Sequence, residues 1–215
     1  MITQEMIAQL KGKMENDTKK EFTVPELIDE IVSRYHAKEL TMIREIREEM
    51  DAYETDHNTS SGLFKKTQVM DARIQDIFQE FYALSSELKH HFEKEEREVF
   101  PLMVASYDMI EGTSDRSDRG AGMDSQEENR GGKLFLQREF QGHDPALLRE
   151  IQRLEKEHGQ TEEHIQEIIR LSDHYGYQAR DVRLASIYQK MQICFADLSE
   201  HREREEMELF ERDWQ

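Results

Sequence analysis

The sequence predicts an all-α protein, an up-down-up-down bundle of four long helices. Over four long segments, apolar residues recur at intervals of three and four, as on the buried face of an amphipathic helix. Segments rich in Gly, Ser, Asn and Asp separate these stretches and are typical of loops. Only three prolines and ten glycines occur in 215 residues, and runs of β-branched residues are scarce, which disfavours an all-β fold.

The first helix is predicted to begin where a capping box and a proline coincide. Thr23-Val-Pro-Glu26 combines an N-cap residue with a proline in the first turn. The apolar stripe that follows contains His36, and Asn58-Thr-Ser-Ser-Gly62 ends the helix. Residues 1–22 show no comparable pattern, so we interpret them as a leader or capping segment that precedes a bundle domain spanning 23–215.

The second helix is predicted from about residue 65 to residue 109. Its stripe contains His91 and Glu95, one helical turn apart. Pro101 is expected to kink or split the last turns. Residues 111–143, which begin with a stretch rich in Gly, Ser, Asp and Arg, are predicted to form a flexible insertion.

The third and fourth helices complete the predicted bundle. Asp144-Pro145 starts the third helix as an N-cap candidate followed by proline. Its stripe contains His158, and His174-Tyr-Gly176 ends it. The fourth helix runs from about 181 to 213, and its stripe again contains a His that is followed four residues later by a Glu.

Composition excludes several classes of partner. The formal net charge is −18, and no dense Lys/Arg block offsets it, so we expect neither a nucleic-acid partner nor binding to an anionic membrane surface. No stretch approaches the ~20 apolar residues of a membrane span, and no secretion signal is evident. The single cysteine, Cys194, cannot form an internal disulfide and fits a reducing compartment. A soluble cytoplasmic protein is therefore expected.

Histidines and glutamates on the apolar stripes predict the chemistry. Each helix carries a His on its stripe, and two helices carry a Glu one turn later, on the same face. These six residues are His36, His91, Glu95, His158, His201 and Glu205. A lone His on such a stripe is usually a hydrogen-bonded core residue, but a buried carboxylate without a partner is costly. A cation would neutralise the acids.

The six side chains can meet in one layer of the bundle. At the rise of an α-helix, the four histidines lie roughly 14–27 Å from the same end when neighbouring helices are antiparallel. Four imidazoles and two carboxylates exceed the ligand set of one tetrahedral zinc ion. We therefore predict two metals bridged by the two carboxylates, with open positions for an exogenous ligand. Such donors suit iron, with manganese or zinc as substitutes.

At these residues the sequence resembles a known family, the hemerythrin-like di-iron domain of bacterial iron–sulfur cluster repair (repair of iron centres) proteins. The resemblance covers about residues 24–210 and is interrupted by the insertion. It rests on SRYH ending at His36, on HFEKEEREVFP at 91–101, on Glu157-His158, and on a final His-x-x-x-Glu followed by Leu209-Phe210. The family often carries an N-terminal domain with an adjacent cysteine pair, which residues 1–22 do not contain.

The resemblance implies a role for each site residue. The terminal ligands of two irons would be His36, His91, His158 and His201, and the bridges would be Glu95 and Glu205. Glu87 and Glu157 match acids that line the approach to the centre, although a solvated surface glutamate is the alternative for both. His57 also matches a family histidine, but it lies ~31 Å along the helix from His36 and cannot reach the same metals.

The implied function is that of a non-haem di-iron protein of nitrosative and oxidative stress defence. It would repair damaged iron–sulfur clusters by releasing or transferring iron, or react with NO; its partners would be NO or O₂ and iron–sulfur proteins. One alternative is a hemerythrin-like O₂-binding or sensing protein without turnover. Oxygen carriers use a more histidine-rich ligand set, which favours the first interpretation. A metal-free helical interaction module is the third. The sequence indicates neither enzymatic turnover nor an oligomeric state.

Overall fold

The computed structural model describes residues 22–58, 70–117, 145–212 and 214. Within these ranges all regular secondary structure is helical, and four long helices form a bundle, as predicted. The second helix packs mainly along the third, and the first packs mainly along the fourth. None of the helices in the described ranges is long and apolar enough to cross a membrane.

The first helix starts at the predicted capping box. It consists of α1 (Val24–Glu30), a π-helical segment (Ile31–His36) and α2 (Ala37–Asn58). The Glu26 backbone N–H donates to the Thr23 hydroxyl at 3.3 Å, and the Thr23 N–H donates to the Glu26 carboxylate at 3.0 Å. Both halves of the box are formed and Pro25 lies in the first turn, which confirms the predicted start.

The second helix consists of α3 (Ala72–Lys94), a π-helical segment (Glu95–Val99) and α4 (Phe100–Ser117). Asp71 caps it by accepting the Arg73 N–H, so the helix begins later than the predicted residue 65; residues 65–69 lie outside the described ranges. The helix continues through Pro101, because the wider π turn directly before it accommodates a residue without an N–H. It also includes residues 111–117 of the predicted insertion, whose remainder is outside the described residues.

The third helix, α5, spans Pro145–Leu171, and Asp144 lies outside the described ranges. It ends before the predicted His174, and a connection of turns leads to Asp181. The fourth helix consists of α6 (Val182–Glu205) and a π-helical segment (Glu206–Phe210). The Asp181 carboxylate caps it by accepting the N–H groups of the two residues that follow Val182.

The buried core is divided into two apolar clusters. The larger cluster draws on Ile43–Tyr53 of the first helix and Ile74–Phe92 of the second, together with the parts of the third and fourth helices near their connection. The smaller cluster lies at the other end and includes Leu27, Phe100 and Leu209. On each helix the predicted ligands lie where the two clusters meet, and on the second helix His91 directly precedes Phe92, the last residue there of the larger cluster. Two apolar cores therefore enclose one polar layer.

Cys194 lies in the larger cluster and is fully buried. Burial, with smaller contributions from the charges of Glu39 and Asp197, raises the pKa of its thiol. Because the thiolate is the reactive form, we expect an aromatic disulfide reagent at about pH 8 to leave the folded protein unlabelled. The same reagent should label one thiol per chain in guanidinium. Rapid labelling of the native protein would contradict this burial.

Candidate metal centre

The structure brings all six predicted ligands together in the layer between the apolar clusters. All are buried, and the side chains of both glutamates are essentially inaccessible to solvent. They come from all four helices, and the six residues are His36, His91, Glu95, His158, His201 and Glu205.

Each carboxylate spans two histidines with its two oxygens. Glu95 places Oε1 3.2 Å from Nε2 of His91 and Oε2 3.4 Å from Nε2 of His36. Glu205 places Oε1 3.1 Å from Nε2 of His201 and Oε2 3.3 Å from Nε2 of His158. Each glutamate therefore reaches one histidine on its own helix and one on another helix, which is the placement that a bridging carboxylate requires.

The donor atoms form two groups, within each of which all atoms lie within 4.8 Å of one another. The first group contains His91, Glu95, His158 and Glu205, and the second contains His36, His201 and Glu205. Glu205 belongs to both groups. In the first group the two imidazole Nε2 atoms are only 3.1 Å apart. Two cation positions that share a carboxylate follow from this arrangement.

The hydrogen bonding of the layer fits a cation. Both side-chain oxygens of Glu95 and of Glu205 are buried without a hydrogen-bond partner, as are the Nε2 atoms of His36 and His201. A buried carboxylate without donors is strongly unfavourable. The unpaired atoms all face the same small region, so cations held there would satisfy them together.

A carboxylate outside the layer accepts a hydrogen bond from Nδ1–H of each histidine. The pairs are His36 with Glu96 (2.8 Å), His91 with Glu157 (2.8 Å), His158 with Glu206 (3.1 Å) and His201 with Glu39 (3.0 Å). An Nδ1–H that donates outward leaves Nε2 as the lone-pair donor that faces inward, which is the tautomer that a metal ligand needs. We call these four glutamates the outer carboxylates.

The titration of His91 and Glu157 reflects their pairing. Burial disfavours a charged His91, but the nearby charge of Glu95 and the hydrogen bond to Glu157 outweigh it and raise the pKa of His91 to about 10. A metal that binds at Nε2 must therefore displace a proton from it. The hydrogen bond from His91, together with Lys94, lowers the pKa of Glu157 to about 2 despite partial burial. Glu157 is therefore ionised at neutral pH and able to orient the imidazole.

The predicted candidates outside the ligand set divide into two groups. Glu157 lies against the centre, as described. Glu87 instead accepts from the imidazole of His164, with 3.1 Å to Nε2. His57 stacks on Tyr53 and donates to its carbonyl at 2.7 Å, near the end of the first helix and away from the layer. The structure therefore places neither Glu87 nor His57 against a ligand histidine.

Sequence reasoning missed three of the outer carboxylates: Glu39, Glu96 and Glu206. Two of them had a detectable signal. Glu96 and Glu206 each follow directly after a predicted bridging glutamate, so that both units read His-x-x-x-Glu-Glu. One step along a helix turns the side chain by about 100°, which directs the second acid toward the histidine of a neighbouring helix.

Three π-helical segments coincide with the layer. One ends at His36, one begins at Glu95, and one begins directly after Glu205. A π turn widens the helix locally and re-aims the side chains around it, and such turns are frequent at functional sites. The helices therefore depart from regular α geometry where the ligands converge.

A cavity of about 150 Å³ opens onto the layer beside His91, His158, His201 and Glu205. Its walls combine apolar residues with polar and charged ones, namely Leu88, Phe92, Ile165, Phe195 and Leu198 with Thr161, Glu162, Ser199 and Arg202. A second hollow of about 170 Å³ contacts His91 from the outside and is lined by polar residues that include Glu87 and Glu157. The layer is thus approached by two routes, one lined by both apolar and polar side chains and one lined by polar side chains.

Residues 27–121 match the family described as the hemerythrin HHE cation binding domain. The matched stretch contains three of the six predicted ligands, and the third and fourth helices supply the remaining three. No curated protein matches the chain. The match, which covers less than half of the chain, and the buried His/Glu cluster together support a hemerythrin-like, metal-binding protein. The match does not single out the repair-of-iron-centres family, so that assignment stays a prediction.

Proposed function

We propose that this protein holds two iron ions in the His/Glu layer and acts in nitrosative and oxidative stress defence. The observation that carries the proposal is the pair of donor groups that share Glu205. Four imidazoles and two carboxylates supply six protein ligands to two cations, which leaves coordination positions open for a small exogenous ligand. When bound, the iron supplies redox chemistry and affinity for NO or O₂.

The side chains around the layer would control access and orientation. The cavity beside His158 has a volume of about 150 Å³ and several apolar wall residues, which suits a small molecule such as a diatomic gas better than a large substrate. The outer carboxylates fix the imidazoles so that each Nε2 faces inward. Such a function does not require a general base that a large substrate can reach, because the exogenous ligand is small.

The proposed physiological role is repair of damaged iron–sulfur clusters by release or transfer of iron to iron–sulfur proteins. The second hollow supports this role, because Glu87, Glu157 and the ligand His91 all line it. Carboxylate oxygens are ligands for divalent cations, so an ion that leaves the layer could be met there. The family resemblance, rather than the geometry, supplies the identity of the iron–sulfur partners.

Anaerobic purification followed by metal analysis and optical spectroscopy tests the proposal. We expect two irons per chain and near-ultraviolet charge-transfer bands after oxidation. We also expect iron to pass to an apo iron–sulfur protein faster after treatment with NO. One zinc per chain, or manganese in place of iron, would contradict the assignment of the metal.

Reversible O₂ binding is the second candidate, since the same cavity admits O₂ as readily as NO. Controlled exposure of the di-ferrous protein to O₂ distinguishes the two functions. A spectrum that returns after deoxygenation would favour an oxygen carrier or sensor. Irreversible oxidation within one exposure would favour the repair role.

A further inference from the structure

The four outer carboxylates differ sharply in burial. The side chains of Glu96, Glu157 and Glu206 are between 32% and 41% exposed, whereas that of Glu39 is 0% exposed. Water screens a half-exposed charge strongly, but a charge enclosed by protein acts on its neighbours through a low dielectric. Glu39 should therefore affect its histidine more than the other three affect theirs.

Glu39 directs its charge at His201. It lies on the first helix, one turn after His36, and its Oε2 is 3.0 Å from Nδ1 of His201 on the fourth helix. Its other oxygen, Oε1, is buried without a hydrogen-bond partner. Tyr35 stacks on His201 with ring centroids 5.0 Å apart. The His201 imidazole is thus fixed in orientation by a stacked ring and by a buried carboxylate.

The two cation positions also differ in their donors. The first group contains both bridging carboxylates, whereas the group of His36 and His201 contains Glu205, and Glu95 approaches it with Oε2 3.4 Å from Nε2 of His36. His201 belongs only to the second group. A buried charge directly behind His201, such as that of Glu39, therefore acts on the second position.

We propose that Glu39 is a positioning residue whose buried charge strengthens His201 as a ligand and thereby sustains cation binding at the position bounded by His36, His201 and Glu205. The inference rests on the proposed two-metal function. Glu39 acts through His201, whose Nε2 becomes a stronger donor when a buried anion accepts its Nδ1–H. Loss of the charge should weaken this position selectively.

A Glu39→Gln variant tests the proposal, with zinc as a redox-inert probe. Glutamine keeps the size and can still accept the His201 hydrogen bond, so that mainly the charge is removed. We expect the affinity for one of two zinc ions to fall roughly 10–100-fold. Ring ¹⁵N spectra should show that zinc is lost from His36 and His201 and retained at His91 and His158.

Glu96→Gln is the matched control, because Glu96 serves His36 at the same position but is half-exposed. We expect a smaller loss for this variant than for Glu39→Gln, because water screens the charge of a half-exposed carboxylate. Equal losses in the two variants, or loss of zinc from His91 and His158 in Glu39→Gln, would overturn the proposal. Since zinc is the probe, a protein that fails to hold iron would refute the proposed function without deciding this inference.

The wild-type protein provides a test that does not depend on the folding of a variant. In the zinc-loaded protein, the His201 Nδ1–H should be the most downfield of the four ligand ring N–H signals and the slowest to exchange with solvent. A fully buried carboxylate acceptor gives a stronger and better protected hydrogen bond than a half-exposed one. If the His201 Nδ1–H signal had the same chemical shift and exchange rate as the other three, the proposal would be overturned.

Discussion

A Glu205→Ala protein is expected to lose both metal ions, whereas a His201→Ala protein should lose one. Glu205 is the donor that belongs to both groups, while His201 belongs to one. Removal of an outer partner typically costs roughly 10–100-fold in affinity, and removal of an anionic ligand shared by two cations should cost more at each. Iron content per chain after anaerobic reconstitution is the measurement.

Glu87→Ala is the control for this comparison, because Glu87 pairs with His164 outside the layer and should leave two irons bound. Circular dichroism checks that each variant keeps its helices. Two irons in the Glu205→Ala protein would show that the carboxylate does not bridge. If the Glu205→Ala and His201→Ala proteins lost the same amount of iron per chain, the two metal positions would be filled only together.

Helical periodicity was sufficient to predict the bundle and the convergence of the ligands. His36, for example, lies in register with Ile43, Ile46 and Met50, all of which are buried. A residue in register with the core must face the neighbouring helices. The rise per residue is constant, and loops do not alter the register within a helix. With antiparallel neighbours, the position of each histidine along its own helix therefore gives its height in the bundle, and the four heights agree.

Contacts between helices could not be predicted in this way. Glu39 looks like one more acid on a charged helix, and its partner His201 is 162 residues away. Glu87 and Glu157 appeared equivalent in the sequence, yet only Glu157 contacts a ligand histidine. Which neighbour an acid meets depends on the rotation of each helix about its axis, and periodicity defines that rotation only coarsely.

Local departures from α geometry also escaped prediction. The π segment after Lys94 adds a residue to the turn that holds Glu95 and shifts the register up to Pro101. The backbone N–H of Phe100 donates to the carbonyl of Glu95, five residues earlier. Proline explains why the α pattern is hard to maintain here, but equivalent segments at Ile31–His36 and Glu206–Phe210 contain no proline. A uniform rise of 1.5 Å per residue is therefore only approximate near the ligands.

Removal of the metal with a chelator is expected to lower the free energy of unfolding on the order of 8 kcal/mol. A ligand present at 1,000 times its dissociation constant stabilises the native state by about 4 kcal/mol, and two ions are held. For a chain of this size the loss corresponds to a decrease in Tm of roughly 15–30 °C. Thermal unfolding of the iron-loaded and chelated proteins in one buffer measures it.

Glu205→Ala is the control here too, because a protein without cations should not respond to the chelator. The physical reason for a large effect is the position of the layer between the two apolar clusters. Without a cation, the oxygens of Glu95 and Glu205 lack hydrogen bonds, so the facing histidines must take up protons, water must enter, or the helices must separate. The layer should then open before the clusters do, and hydrogen exchange of the surrounding backbone should accelerate first. Equal stability of the two forms would show that the folded chain tolerates these buried carboxylates without a cation.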